Sequence, residues 1–363
     1  MDELARHLSD IDTYHTTRDK PAYNHGMFWH TAHYAQAGLA THRTYPRADG
    51  VMGGGPSSEH LYTSGLALHY WMTGSEASYE AVINFGRYVI DADDGSLTPF
   101  RFLSRGPTGI VSCSGTMDYH GPGRGPGNAM EALMNAFDLG GERRFLIKAE
   151  ELLCRCVHPH DDLGARNLLD IEYRWYYMVF LRTLLKYLAL KQTLGEIDWH
   201  YAYARESLLT YARWAAEHEY PYIDKPEALE FPNETWPAQE LRKSDVFELA
   251  ARYAGGEWRE RFRERARFFY AAALDGLSQY PDTRLRARPM VLLSSFGVAH
   301  ATLRNESLDV DALAVAIDDV PGDTDFGQPL IFVRQKRIAM RRAAFIAVCG
   351  CAAFLASIAA LVF

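Results

Sequence analysis

Residues 53–74 read GGGPSSEHLYTSGLALHYWMTG, and this stretch decides the fold. Gly53, Gly54, Gly55 and Pro56 make a loop that a helix does not tolerate. Ser57 and Ser58 follow, and a serine oxygen there can accept from the free N–H groups of a first helical turn. From Leu61 to Met72 the run is apolar almost all round. Leu61, Gly65, Leu68 and Met72 share one face, and Tyr62, Leu66, His69 and Tyr70 cover much of the rest. A helix apolar on every side is expected to be buried, with Glu59 and His60 at its N-terminal mouth. Thr73 and Gly74 end it, glycine supplying a left-handed cap. The next helix carries Tyr79, Val82, Ile83, Gly86, Val89 and Ile90 on one stripe. The predicted unit is a polar loop, an inner helix, a tight turn and an outer amphipathic helix.

The same unit recurs outward from this stretch. Ahead of it, residues 23–39 read as a helix after Pro21, and residues 91–127 form a long connection with a strand-like piece at 109–113. A second inner helix follows the glycine- and proline-rich loop 121–127 with Met130, Leu133, Met134 and Phe137. It turns at Gly140 and Gly141 and returns with Phe145, Ala149, Leu152 and Cys156. A third runs over 170–190, turns at Gly195 and returns over 203–216. A fourth begins near Ser244, turns at Gly255 and Gly256 and returns through Trp258, Phe262, Ala266, Phe269 and Ala273. A fifth starts at Pro289, a favoured first helical residue, with a weaker partner at 310–317. The turn glycines Gly74, Gly140, Gly195 and Gly255 stand 66, 55 and 60 residues apart. A helix pair repeated at such a period marks a helical array. Alternation of buried and amphipathic helices closes that array into two concentric layers. The fold predicted is all-α, an (α/α) toroid of about five to six hairpins, plus a C-terminal transmembrane helix. Its parts are a peripheral segment 1–20, the toroid 21–318, a linker 319–333 and a basic flank with membrane tail 334–363.

Composition narrows the function. The chain has 363 residues, 48% of them hydrophobic, enough for a large core. A net charge of −8 argues against a nucleic-acid partner. Five cysteines at no disulfide-like spacing fit a reducing compartment or plain core residues, and Cys154 and Cys156 diverge on a helix, so no metal is assigned to them. His25, His30, His33 and His42 lack a carboxylate at ligand spacing and read as histidines lining an aromatic helix. No metal and no cofactor is implied. The first residues, MDELARHLSD, show neither a basic nor an apolar leader segment. Residues 343–363 carry no charge over 21 positions, long enough to cross a bilayer. Arg334, Lys336, Arg337, Arg341 and Arg342 precede them, which predicts that the globular part faces the cytoplasm.

In a closed ring the inner helices run parallel, so the loops feeding them share one rim, where free N–H groups and partial positive charge gather. Those loops carry Glu59 and His60, then Asp118, Tyr119, His120 and Arg124. Asp170, Glu172 and Arg174 follow, with Trp175 and Tyr176 behind; then Asn233, Glu234, Trp236, Gln239, Arg242 and Lys243; then Arg284, Arg286 and Arg288. The opposite turns, such as 73–75 and 140–142, are plain. Helix starts favour polar residues in any protein, which accounts for Asp170 and Ser244 but not for Trp236, Tyr119 or three arginines.

The GL-x-L-x-Y-x-x-T-G pattern from Gly65 to Gly74, preceded by Glu59 and His60, resembles the helical-toroid carbohydrate-active enzymes. These are the six-hairpin glycosidases and the toroid polysaccharide lyases, and the toroid domains of rhamnogalacturonan-lyase-like proteins stand nearest. The resemblance spans residues 23–303 and implies a carbohydrate-active enzyme on an acidic glycan. Two chemistries fit the residues. β-Elimination from a uronate needs its carboxylate neutralised, a base for the C5 proton and an acid for the leaving oxygen. Arg242, Arg284, Arg286, Arg288 or Asn233 can neutralise and Arg174 and Gln239 can bind, while His60, His120 and Tyr119 can move protons. Hydrolysis needs two carboxylates across the bond, for which Glu59 and Glu234 are the best pair. Trp236, Trp175 and Tyr119 can stack on sugar faces in either case. Elimination is the expectation, because His, Tyr and Arg outnumber carboxylates in these loops. Hydrolysis is the alternative, and a membrane-tethered glycan-binding component without turnover is a further one.

Overall fold

The computed structural model describes residues 1–28, 56–98, 101–102, 106–115, 119–280 and 324–362, with the side chains of 333–339 and 359–362 left aside. The described residues are helical, with no strand among them, only two isolated bridges, Thr13 to Met27 and Phe28 to Pro56. In chain order the α-helices are α1 (Asp2–Arg6), α2 (Ser64–Thr73), α3 (Glu76–Asp93), α4 (Arg124–Gly140), α5 (Arg143–Cys156), α6 (Ile171–Arg174), α7 (Tyr177–Thr193), α8 (Trp199–His218), α9 (Thr235–Ala250), α10 (Gly256–Ser278) and α11 (Phe332–Val362). The chain divides into two compact units. Unit 1 holds Met1–His120, Asn128–Arg155 and Leu330–Phe363, and unit 2 holds Gly121–Gly127 and Cys156–Pro329.

In unit 1 the turn between α2 and α3 forms as predicted. Gly74 sits at φ +69° and its N–H donates to the Tyr70 carbonyl at 2.7 Å, the left-handed cap that a side chain resists. Ser57 does cap, accepting from the Glu59 N–H at 3.2 Å, but it caps a short 3-10 turn, Ser58–His60, and α2 starts later, at Ser64. The expectation that α2 is buried all round is corrected. Leu66, Ala67 and His69 are buried, whereas Leu68, Trp71 and Met72 are 54%, 61% and 64% exposed. α2 packs on α3 and α1 through one face, and an apolar side chain is not obliged to be inside. His69 is the core histidine that its helix implied. Its Nδ1 lies 2.8 Å from Ser78 Oγ and its Nε2 2.9 Å from Asp2 Oδ1. Gly86 brings α3 close to α4 and α5, since a Cβ there would fall 2.6 Å from Ala136 Cβ and 3.0 Å from Phe145 Cε1.

In unit 2 the hairpins α7–α8 and α9–α10 stand. α7 packs on α9, and Gly127 in the first turn of α4 faces Phe180 and Thr183 of α7. Two boundaries differ from expectation. The third inner segment is a single turn, α6, followed by α7. The fourth helix begins at Thr235, not Ser244. Pro237 is tolerated there because a first-turn N–H has no intrahelical partner to lose. It also packs on Gly276 of α10, where a Cβ would approach Pro237 Cβ to 2.8 Å. At the start of the chain Pro21–Tyr23 is a 3-10 turn and residues 24–28 are not helical, so the leading helix does not begin at Tyr23. Residues 109–113 form turns rather than a strand piece.

α11 contains Met340–Ile358, a stretch long and apolar enough to cross a membrane, with almost none of it buried. A core helix of the same length would be covered on most sides. The fifth predicted hairpin, residues 53–55 and 29–39, Asp118, and His30, His33 and His42 lie outside the described residues.

Candidate functional site

Unit 2 gathers residues from three of the predicted loops. Asn233 precedes α9 and its Oδ1 accepts from the Thr235 N–H at 3.0 Å and hydroxyl at 2.7 Å, fixing the helix start. Glu234 stands beside it, buried. Trp236 is 7% exposed and its Nε1–H donates to the Phe231 carbonyl at 2.9 Å. Its ring meets Trp175 edge-on at 6.4 Å and Tyr222 edge-on at 5.8 Å. The Trp175 indole lies within cation–π reach of two guanidiniums, Arg242 at 5.3 Å and Arg124 at 5.8 Å. Arg242 also donates to Gln239 Oε1. Arg174 donates to the Tyr173 carbonyl at 2.7 Å and to the Tyr176 hydroxyl at 3.1 Å. Glu172 Oε2 accepts from the Glu230 N–H at 3.1 Å, which ties the loop before α9 to α6. Arg124, Trp175, Trp236 and Arg242 therefore form one cationic aromatic face at the starts of α4, α7 and α9.

Behind that face lies a buried ionic cluster absent from the sequence reading. Lys243 Nζ is 2.9 Å from Glu219 Oε2 and 2.9 Å from Glu240 Oε2, donates to the Tyr220 carbonyl at 2.6 Å and lies 3.2 Å from the Tyr222 ring centre. The side chains of Lys243 and Glu219 are fully buried and that of Glu240 is 1% exposed. The Tyr177 hydroxyl donates to Glu219 Oε1 at 2.7 Å and the Tyr222 N–H to Glu240 Oε1 at 2.9 Å. Burial pushes the Glu240 carboxyl up to about 7, against the pull of Lys243. Burial, and then the Glu219 charge, hold the Tyr177 and Tyr222 hydroxyls well above their ordinary value. The signal available in sequence was the i, i+3 spacing of Glu240 and Lys243. That spacing carries meaning only on a helix, and Pro237 points to a loop over 235–243 where the structure has α9.

The remaining predicted residues belong to unit 1. Glu59 is buried, its Oε1 accepts from the Gly115 N–H at 2.9 Å and its carbonyl accepts from Asn128 Nδ2 at 2.8 Å, so it holds the 109–115 turns in place. His60 is half-buried, with its ring 5.8 Å from Tyr62. The Tyr119 carbonyl accepts from the Ser114 N–H at 3.2 Å. His120 is buried, its Nδ1 is 2.9 Å from Ser112 Oγ, and its ring stands edge-on to Phe332 at 4.6 Å. Phe332, the first residue of α11, also covers the Arg155 guanidinium at 4.6 Å. Arg155 grips Asp93 through two nitrogens at 2.8 and 2.9 Å, and Lys148 reaches the same carboxylate at 2.8 Å. Burial works against the Asp93 charge, but Arg155 and Lys148 outweigh it and hold the carboxyl below its usual range. Asp93 is thus a structural anchor. Arg284, Arg286 and Arg288 lie outside the described residues.

No family model matches this chain, and no curated protein and no solved structure matches it.

Proposed function

We propose that the chain is a membrane-anchored protein that binds an acidic, uronate-containing glycan on unit 2 and cleaves it by β-elimination. The observation that carries this reading is the Trp175 indole flanked by Arg124 and Arg242 with Trp236 at its edge. An indole offers a flat apolar face to the C–H side of a sugar, and a guanidinium recognises a carboxylate in two-pronged fashion. The three helix starts beneath add partial positive charge. His60, His120 and Tyr119 belong to unit 1, so on unit 2 the proton-transfer role goes in this reading to Tyr176, whose hydroxyl accepts from Arg174. The hydrolytic pairing of Glu59 with Glu234 draws less support, because the Glu59 carboxylate already accepts the Gly115 N–H. In this reading the hairpins close into an (α/α) toroid, α11 anchors the protein, and its basic flank keeps the globular part in the cytoplasm.

Binding without turnover is the second reading. It is favoured by the buried, mutual pairing of Glu219, Glu240 and Lys243, which keeps these groups off the surface. Incubation of the full chain with uronate-containing and neutral polysaccharides separates the cases. Absorbance of an unsaturated product is expected with the former, and Tyr176→Phe should lower its rate by about two orders of magnitude or more. New reducing ends without that absorbance would mean hydrolysis. Retention without any product would mean binding only, and no retention would remove the glycan reading.

A further inference from the structure

The ionic cluster behind the cationic aromatic face holds two carboxylates and one ammonium, all closed off from water. Around Glu240 the facing groups are Glu219 from the end of α8, Tyr177 from α7, Tyr222 from the turn before α9, Lys243 and Arg242 from α9 itself, and Arg265 from α10. Arg265 is turned to the Glu219 carbonyl, to which it donates at 2.5 Å. Among the described residues Lys243 is the cation ion-paired to the two carboxylates, and with both ionised the trio carries a net negative charge away from solvent. Such a site is relieved by taking up one proton. The partners decide which carboxylate takes it. Glu219 accepts two hydroxyl hydrogen bonds, from Tyr177 at 2.7 Å and from Tyr222 at 3.4 Å. Glu240 accepts one backbone N–H, that of Tyr222, and is the weaker carboxylate site. The direction and cause of the Glu240 shift agree.

Tyr222 links this cluster to the face. Its N–H donates to Glu240, Lys243 Nζ lies over its ring, and the same ring meets Trp236 edge-on. α9 links them a second time, because Trp236, Gln239 and Arg242 sit on the helix that carries Glu240 and Lys243. We infer that Glu240 is a titrating positioning residue of the Trp175–Trp236–Arg242 face, and that an anionic ligand bound there is taken up together with a proton at Glu240. The inference concerns regulation of the proposed glycan site and rests on that reading for its ligand. The physical link is reciprocal. A negative charge placed beside Arg242 disfavours a second negative charge behind it, so ligand and proton each tighten the other. Affinity for an acidic ligand then falls as pH rises past the Glu240 midpoint, by up to about tenfold per pH unit.

The test uses the full chain in detergent and has one arm without ligand. The infrared band of a protonated carboxyl and the tryptophan emission are followed across pH 7. Both should titrate together in the wild type. Glu240→Gln should abolish the band and flatten the emission, Trp236→Phe should remove the emission change alone, and Glu219→Gln should move the midpoint down by removing the like charge. A band that survives Glu240→Gln, or emission that titrates unchanged in it, overturns the inference. In the second arm, binding of a galacturonate oligomer is measured in buffers of different ionisation enthalpy. Proton uptake is expected in the wild type and none in Glu240→Gln. Binding with no proton uptake overturns the coupling while the glycan reading stands. Absence of binding at every pH removes the glycan reading, and the first arm then decides the positioning role alone.

Discussion

Single residues in this protein are decided by their partners more than by their type. Asp93 shows this most plainly. It is fully buried, and Arg155 and Lys148 both address its carboxylate. Removing it leaves two cations in a closed site, so Asp93→Ala should cost about 3–5 kcal/mol, read from urea unfolding, while Lys148 and Arg155 keep their own positions in sequence. A loss under about 1 kcal/mol would mean that the site admits water. Glu240 works in the other direction. Its ordinary value is 4.5 and in the fold it rises to about 7. The native state therefore holds a proton that the unfolded chain gives up, so this group's stabilisation is complete below 4.5 and is lost as pH rises through about 7. Glu240→Gln should flatten the melting temperature across that window. Asp93, held below its ordinary 3.8, contributes the opposite slope, losing its stabilisation as pH falls through its folded value.

At the scale of elements, α2 departs from the character that its pattern implied, while α9 is buried as an inner helix despite its charges. α2 looks buried on every side and is exposed along Leu68, Trp71 and Met72. α9 carries Glu240, Lys243, Asp245 and Glu248 and is buried on every side. Periodicity reports which face can be inside, and the neighbours decide which one is. Truncating Leu66 to Ala should therefore cost about 2–5 kcal/mol, as for a filled core position. The same change at Leu68 should stay within about 0.5 kcal/mol in a parallel denaturation series. The α9–α10 pair offers a packing test from the other side. Gly276→Ala places a methyl 2.8 Å from Pro237 Cβ, so it should destabilise by about 1–3 kcal/mol despite its better helix propensity.

At the scale of the whole molecule, each unit holds its own part of the segment around the start of α11 through aromatic contacts. Phe326 lies among Trp199, Tyr203 and His160 in unit 2, and its carbonyl lies 3.2 Å from His158 Nε2. Phe332 lies between Arg155 and His120 in unit 1. A shortened chain intended to be soluble should therefore retain Phe332 and end before Met340. It should stay in the supernatant after a carbonate wash, where the full chain sediments with membranes. Placing an arginine at Ala352, at the middle of the apolar stretch, should weaken membrane retention, at a cost of about 2.5–3.5 kcal/mol on insertion scales. Retention unchanged by both alterations would remove α11 as the anchor.

What the sequence determined by itself is local. The turn glycines, the helix pairs between them and the apolar tail depend on backbone φ, on caps and on runs of neighbouring residues, and these are legible along the chain. The aromatic and arginine residues before the helices were legible too, as a list of candidates. Only the tertiary structure decided how they are used. It set Arg124 and Arg242 on the same indole, turned Glu59 into a holder of the 109–115 turns and closed His120 under Phe332. It also paired Lys243 with Glu219, 24 positions back along the chain. A charge is stable inside a protein only when its counter-charge and hydrogen bonds arrive from elsewhere in the fold, and no local pattern records that arrival.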